Sequence, residues 1–448
     1  MVNFIKSIYY YLPDNLKYGS RYKPTLRLLS ESANWSQEQM LAYQITKMKD
    51  LLEYAYENVP YYTRIFTENQ FHPDDFHTMD DLETIPFLTK TIVREQGDKL
   101  LSKKANKKHL CKNSTSGSTG EPAVFFCDLR ETLCLEEAFV MNAWERIGYN
   151  RKGKMAVFRG NKITVDSGNN KYWVFSAPTH KTIYSIYDLS RENVEFYYNN
   201  LISEQTQWIH AFPSAIVNFC IMAKQMGLQP IESVKGIFLS SEIVYDHQAD
   251  ILQSMFVNAK LSYLYGHTEM ACFAASCSES LYYHFQSEYG YTEFIPVGED
   301  NYEIVATGFN NHAMPIIRYR TGDLIRKKDL CTCSCHSPYP VGKSIGGRSQ
   351  NSIITKSGHR IVETAFIASV HSSIFDKIDK MQFEQYIDRS CVMRVKPQNQ
   401  LTYAEQQEIL NVVSERLNND IDLKLEIVDD IPLSSNGKNK LIIQHIKD

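Results

Sequence analysis

Nine consecutive residues, Ser114-Thr115-Ser116-Gly117-Ser118-Thr119-Gly120-Glu121-Pro122, are small, hydroxylated or turn-forming. Glycine at 117 and 120 opens backbone conformations closed to other residues, so successive N–H groups can converge on an anion while the hydroxyls add donors. Such a run from Ser114 to Gly120 is a phosphate cradle. A P-loop would carry lysine and then Ser or Thr after its second glycine, but Glu121 and Pro122 stand there instead. The cradle therefore lacks its own cation. A Ser/Gly run is also the composition of a plain surface connection, so its meaning depends on the other chemical residues of the chain.

Those residues lie in short polar groups that each close an apolar stretch: His210-Ala211-Phe212-Pro213-Ser214, Ser240-Ser241-Glu242 and Tyr265-Gly266-His267-Thr268-Glu269. Further on come Tyr319-Arg320-Thr321-Gly322-Asp323, Gly347-Arg348 and a polar loop from Pro432 to Lys440 containing Gly437-Lys438. Separately, Cys277-x6-His284 and Cys331-x-Cys333-x-Cys335-His336 supply enough thiol and imidazole for a tetrahedral zinc site. A reduced thiol cluster without metal is the plain alternative.

The elements that must position these groups follow from periodicity. Ser36 and Gln39 form a capping box ahead of Leu41, Ile45, Met48, Leu52 and Ala55, predicting an amphipathic helix over 36–58 that ends before Pro60. From about residue 150, short apolar strands (Met155 to Phe158, Trp208 to Phe212, Gly236 to Leu239, Leu261 to Leu264) alternate with helices, one running from Pro213 to Met226 and closed by Gly227. Alternation of this kind predicts parallel strands with crossover helices and ligands at the carboxyl ends of the strands, where the polar groups stand. Beyond 290 the pattern turns to antiparallel β, with strands expected at Tyr302 to Ala306 and Pro315 to Tyr319. After Gly346-Gly347-Arg348, strands near 383–395, a helix from Thr402 to Leu417 and a strand near 423–428 predict a compact α+β module.

A chain of 448 residues exceeds one ordinary core, so the expected division is a large unit over 1–349, its first 100 residues mainly helical, and a small one over 350–448. With a net charge of −4 and no basic run, a nucleic-acid partner is not expected. The start resembles no signal peptide and no stretch approaches a transmembrane span, which predicts a cytoplasmic protein with reduced cysteines. Six of its ten cysteines stand singly and are expected to be buried apolar residues.

Taken in order, the 116–122, 265–269, 319–323, 347–348 and 432–438 motifs resemble those of the adenylate-forming superfamily, over nearly the whole chain. Within it the chain is similar to the phenylacetate-CoA ligase branch. The Gln44 to Tyr62 stretch is similar to relatives associated with bacterial capsular polysaccharide synthesis. The resemblance implies an α/β fold with a large N-terminal domain and a small mobile α+β C-terminal domain. It also implies an ATP-dependent, AMP-forming ligase that makes an acyl-adenylate from a small carboxylic or amino acid. The acyl group would pass to coenzyme A or to an amine or hydroxyl of a sugar precursor. A catalytically silent nucleotide-binding scaffold is the alternative.

By the same resemblance, the residues from Ser114 to Gly120 would hold the departing phosphates, Glu269 would hold Mg²⁺, Thr268 would meet the α-phosphate and Lys438 would supply the missing cation. Tyr265 with Gly266 would stack on adenine, Ser241 and Glu242 would lie along its edge, Asp323 would take the ribose hydroxyls and Arg348 would belong to the nucleotide site. Asn351 would be the hinge, although the family more often has Asp or Lys there. His210, Phe212, Ser214, His267 and Phe273 would approach the carboxylate substrate. Comparable positions in the branch also select Cys277, His284, Cys333 and Cys335 for a structural zinc, with Cys331 or His336 as substitutes.

Overall fold

The helix Gln37–Asn58 begins on the capping box, Ser36 accepting from the Gln39 amide while the Gln39 side chain accepts from the amide of Ser36. Val59, extended, separates it from a second helix, Pro60–Glu68, which opens on proline. The computed structural model describes residues 11–114, 123–348, 352–358, 360–362, 377–417, 419–433 and 440–446. The buried stripe of the long helix is Met40, Gln44, Met48, Leu51, Leu52 and Ala55, so the expected Leu41 is instead 46% exposed. Gln44 takes part in the stripe because its amide donates to the carbonyls of Ser287 and Gly290, satisfying two buried acceptors.

Strands β1 (Leu110–Ser114) and β2 (Val124–Asp128) form an antiparallel pair ending at Ser114 opposite Val124. The main sheet is built from β3 (Met155–Phe158), β4 (Trp173–Ser176), β5 (Lys181–Tyr184), β6 (Trp208–Ala211), β7 (Gly236–Ser240), β8 (Lys260–Gly266), β9 (Phe273–Ala275) and β10 (Tyr283–Phe285). Its centre, β8-β7-β6-β3-β5, is parallel, with helices Pro213–Gln225 and Asp246–Met255 as crossovers on either side of β7. The four parallel strands expected from the apolar alternation are present. β4, β9 and β10 extend the sheet antiparallel.

A second sheet holds β11 (Gly290–Val297), β12 (Asn301–Gly308) and β13 (Tyr319–Arg326); two short strands, β14 (Leu330–Cys331) and β15 (Val341–Gly342), return to the edge of the main sheet at β10, and β16 (Gly346–Arg348) joins β13. The expected strand at Pro315 to Tyr319 is displaced: regular pairing begins only at Tyr319. Pro315 has no N–H, the Ile317 amide donates to the Tyr62 hydroxyl, and Arg318 has a φ of +50°, so this apolar segment is buried without being a ladder strand. Two glycines set the approach of the second sheet to the loop after β8. A Cβ at Gly308 would stand 2.6 Å from the Met270 carbonyl oxygen, and one at Gly290 would stand 2.8 Å from that of Ala271.

The short pair β17 (Ser352–Ile354) and β18 (Arg360–Val362) precedes a four-stranded C-terminal sheet of β19 (Ile378–Gln385), β20 (Cys391–Pro397), β21 (Leu423–Ile427) and β22 (Ile442–Gln444), ordered β21-β20-β19-β22. Helix Tyr403–Arg416, with its capping box at Thr402 and Glu405, covers it. These elements share a core of their own that includes Ile353, Phe383, Met393, Val395, Ile409, Val413 and Leu417. The overall architecture is α/β with a large N-terminal part and an α+β C-terminal part. Among the described residues no helix is long and apolar enough to cross a membrane. Of the six single cysteines, Cys127, Cys134, Cys220, Cys272 and Cys391 are buried, whereas Cys111 is half-buried.

Candidate active site and metal centre

The parallel strands deliver His210 from β6, Ser240-Ser241-Glu242 from β7 and Tyr265 to Glu269 from β8 to one edge of the sheet, because parallel strands end together. At the end of β8, Gly266 and Thr268 are exposed, Tyr265 and His267 half-buried, and Glu269 buried. The Tyr265 hydroxyl donates to Asp323 Oδ2 at 2.7 Å. Burial, with the Asp323 carboxylate beside it, holds the Tyr265 phenol well above its usual range, so it remains the donor.

Asp323 reaches this place through a β-bulge. Arg320 pairs with Val305 and Leu324 with Glu303, so β13 has three residues, Thr321-Gly322-Asp323, where β12 has one. Gly322 sits at a φ of +76°, the left-handed region that glycine enters without penalty. The Thr321 hydroxyl donates to the Ile304 carbonyl and accepts from the Asp323 amide, while the Gly322 amide donates to Glu303. The Thr-Gly-Asp motif is thus a device that bends one strand and re-aims one carboxylate. Arg348 pairs with Asp323 across β13 and β16, bringing the backbone of Gly347-Arg348 alongside.

Glu269 is 4% exposed; its Oε1 accepts from the Tyr319 hydroxyl at 3.0 Å and its Oε2 lies 3.4 Å from His267 Nδ1. Two carboxylate oxygens of this kind would suit Mg²⁺ as hard ligands. Ser214 and Glu242, expected in different parts of the site, are bonded to each other: the Ser214 amide and hydroxyl donate to Glu242 at 2.9 and 3.0 Å. Glu242 thereby occupies the N-terminus of helix Pro213–Gln225, where a carboxylate is favoured. Phe212 is buried beside it. Phe273 belongs to a separate cluster, 5.9 Å from the Phe139 ring and stacked on Tyr289 at 5.6 Å. Residues 115–122, Asn351 and Lys438 lie outside the described residues, as do the side chains of Ser114 and Arg348.

The ligand atoms of Cys277, His284, Cys333 and Cys335 all lie within 4.8 Å of one another. Cys277 precedes β10, His284 is within it, and the two remaining cysteines follow β14, so strand pairing through β15 assembles the set. Burial raises the Cys277 thiol, yet the His284 ring, the Ser280 hydroxyl and the Glu279 amide outweigh it and bring the thiol down to about 5. His284 moves the other way: burial lowers it, but the Cys277 thiolate raises it. The His284 ring also meets the Tyr282 carbonyl through Nδ1 at 2.9 Å, leaving Nε2 to face Cys335 at 3.2 Å. Three cysteine sulfurs and an imidazole nitrogen oriented by a carbonyl are a donor set that fits zinc, with no open position for chemistry. No described contact brings Cys331 or His336 into it.

Sequence reasoning named Tyr319 only as the first residue of the 319–323 motif, with no role, and passed over Arg159. Tyr319, the partner of Glu269, is an ordinary buried aromatic by composition. Arg159 directly follows β3 and contacts both His210 and Ser241, and the rule that pointed to the ends of β6, β7 and β8 applies equally to the end of β3.

Residues 353–445 match the family model described as the CapK C-terminal domain. The protein CapK of Staphylococcus aureus is 22% identical, with 96% of this chain and 94% of that protein covered. Phenylacetate-coenzyme A ligase of Pseudomonas putida is 24% identical over 73% of this chain and 75% of its own length. Among solved structures, a 2-hydroxyisobutyryl-CoA ligase in its postadenylation state superimposes with a TM-score of 0.70 at 16% identity, covering 93% of this chain and 91% of that one. The chain is therefore a homologue of CapK and of the phenylacetate-CoA ligases, with a CapK C-terminal domain and the fold of adenylate-forming CoA ligases.

Proposed function

We propose that this protein is an ATP-dependent, AMP-forming ligase that activates a small carboxylic acid and passes the acyl group to a second nucleophile. One carboxylate oxygen of the acid attacks the α-phosphorus of ATP, the bond to the bridging oxygen of the β-phosphate breaks, and pyrophosphate leaves with that electron pair. The nucleophile then attacks the acyl carbon and AMP departs. The observation that carries the reading is the Tyr265–Asp323 hydrogen bond of 2.7 Å, which joins two motifs at the carboxyl ends of the strands. In this reading Tyr265 and Gly266 face adenine, Ser241 and Glu242 lie along its edge, Asp323 accepts from the ribose, and Thr268 meets the α-phosphate. His210, Phe212 and His267 approach the acid, and the residues from Ser114 to Gly120 receive the departing phosphates.

Mg²⁺, held by Glu269, would neutralise phosphate charge. Lys438 would offset the charge of the attacking carboxylate on the α-phosphorus. Leu433, five residues before it in the chain, packs against the main core, which supports that approach. Residues 350–448 act as a lid turning about Asn351, a reading supported by polar cross-contacts such as Gln225 with Gln398 at 2.6 Å. The acceptor is coenzyme A or an amine or hydroxyl of a polysaccharide precursor, the second suggested by the likeness to CapK, and the reaction is placed in the cytoplasm. The Cys277, His284, Cys333 and Cys335 set holds a structural zinc.

The test is pyrophosphate release from ATP across a panel of carboxylic and amino acids, with and without coenzyme A. Release that depends on one acid, and its loss by at least about 100-fold in Lys438→Ala, is the expected result. ATP binding without release for any acid would instead mark a nucleotide-binding scaffold.

A further inference from the structure

Arg159 is a half-buried charged side chain between His210, Phe212 and Ser241, without a carboxylate of its own. One terminal nitrogen lies 2.7 Å from His210 Nε2, the other donates to the Ser241 hydroxyl at 2.8 Å, and the guanidinium carbon stands 4.9 Å from the Phe212 ring centre. These contacts use two of its five N–H donors. Among the described residues no carboxylate oxygen lies within 4 Å of it, in contrast to Arg318 and Arg320, which pair with Glu293 and Glu303. Glu242, the acid whose charge it does feel, already accepts from the Ser214 amide and hydroxyl. Lys181 adds a half-buried cation nearby, over the Trp144 ring at 5.5 Å, and that ring is in edge contact with His210.

Partial burial disfavours the charged guanidinium, and an anionic partner would offset that. Burial, with Arg159 and Lys181 close by, keeps His210 well below the usual histidine range, so the imidazole is neutral, its Nε2 accepting from Arg159 and its proton on Nδ1. His210 therefore holds the guanidinium without cancelling its charge. Ser241, its other anchor, sits at a φ of +71°, a conformation that a non-glycine residue adopts at a cost. The planar fork that remains matches an anion with two oxygens in one plane.

We propose that Arg159 receives a second anionic group of the acid, so that the substrates are carboxylic acids carrying another carboxylate or a phosphate. This rests on the ligase reading and specifies its substrate class. Arg159, at the end of β3, stands on the far side of β7 and β6 from Tyr265, at the end of β8, so a nucleoside over Tyr265 and an acid reaching toward β3 lie along one strand edge.

The experiment measures acid-dependent ATP–pyrophosphate exchange with the full chain, using matched acids that differ only in the second charge: glutarate with valerate, succinate with butyrate, and 3-phosphoglycerate with glycerate. Wild type is expected to prefer the more highly charged member of at least one pair. Arg159→Gln lowers kcat/KM for that member roughly 10- to 100-fold through the acid KM. Arg159→Lys restores part of the preference, and thermal unfolding of both variants verifies that they fold. Preference for the singly charged member in every pair overturns the inference while leaving the ligase reading intact. A loss in Arg159→Gln confined to the KM for ATP reassigns Arg159 to the nucleotide and overturns it too. Exchange with no acid of either kind overturns the ligase reading and this inference together.

Discussion

Tyr265 and Asp323 are 58 residues apart in the chain and 2.7 Å apart in space. The type of each residue gave its chemistry away, but nothing in either motif named the other as partner, because the contact depends on a bulge in β13. Removing one hydroxyl tests the pair. Tyr265→Phe is expected to raise the KM for ATP about 10-fold while kcat changes less, since a hydrogen bond to a charged acceptor is worth about 1.5–3 kcal/mol and part of that is recovered from water. Steady-state pyrophosphate release measures it; an unchanged KM for ATP would separate the pair from nucleotide binding. Arg159 shows the opposite kind of gap. Its position was legible from strand periodicity, and its unpaired charge was visible only in three dimensions.

At the scale of elements, local signals carried furthest. The capping boxes at Ser36 and Thr402 placed two helix starts because each is closed by residues three apart. Segment 315–318 was misread because apolar residues after a proline look like a strand, and only Tyr62, 255 residues from Ile317, supplies the partner that replaces the ladder. The short pairing of β10 with β15 likewise has no periodic signature, although it gathers the four side chains proposed to hold zinc. Purified protein is expected to contain one zinc per chain by elemental analysis, and Cys277→Ala to contain under about a tenth of that. Stripping the metal with a chelator should lower Tm by about 2–4 °C or more, because the thiols then pin nothing. Protein without zinc whose Tm ignores the chelator would leave a reduced thiol cluster.

At the scale of the whole molecule, buried carboxyls tie distant parts together. Glu288, 1% exposed, accepts from the hydroxyls of Ser32 and Tyr339, linking helix Tyr22–Ser32 to the loop before β11. Burial raises its pKa above the ordinary carboxylate value, partly opposed by those two hydroxyls. The folded chain therefore favours the protonated form. The stability this group contributes is complete below the unfolded carboxylate value and is lost as pH rises through the raised folded value. Glu288→Gln lacks that loss, so calorimetry from pH 5 to 8 should show Tm of the variant gaining on wild type by on the order of 2 °C. A constant difference across that range would place the folded value back in the ordinary carboxylate range.

Everything proposed for the strand-end site converges on one covalent claim, that the acid's carboxylate bonds to the α-phosphate. Once an activated acid is identified, its carboxylate can be labelled with ¹⁸O and the complete reaction run with the acceptor. Mass spectrometry of the nucleotide product should find AMP carrying one labelled oxygen, left behind when the acyl carbon moves to the acceptor. Labelled orthophosphate accompanied by ADP, or unlabelled AMP, would contradict an acyl-adenylate.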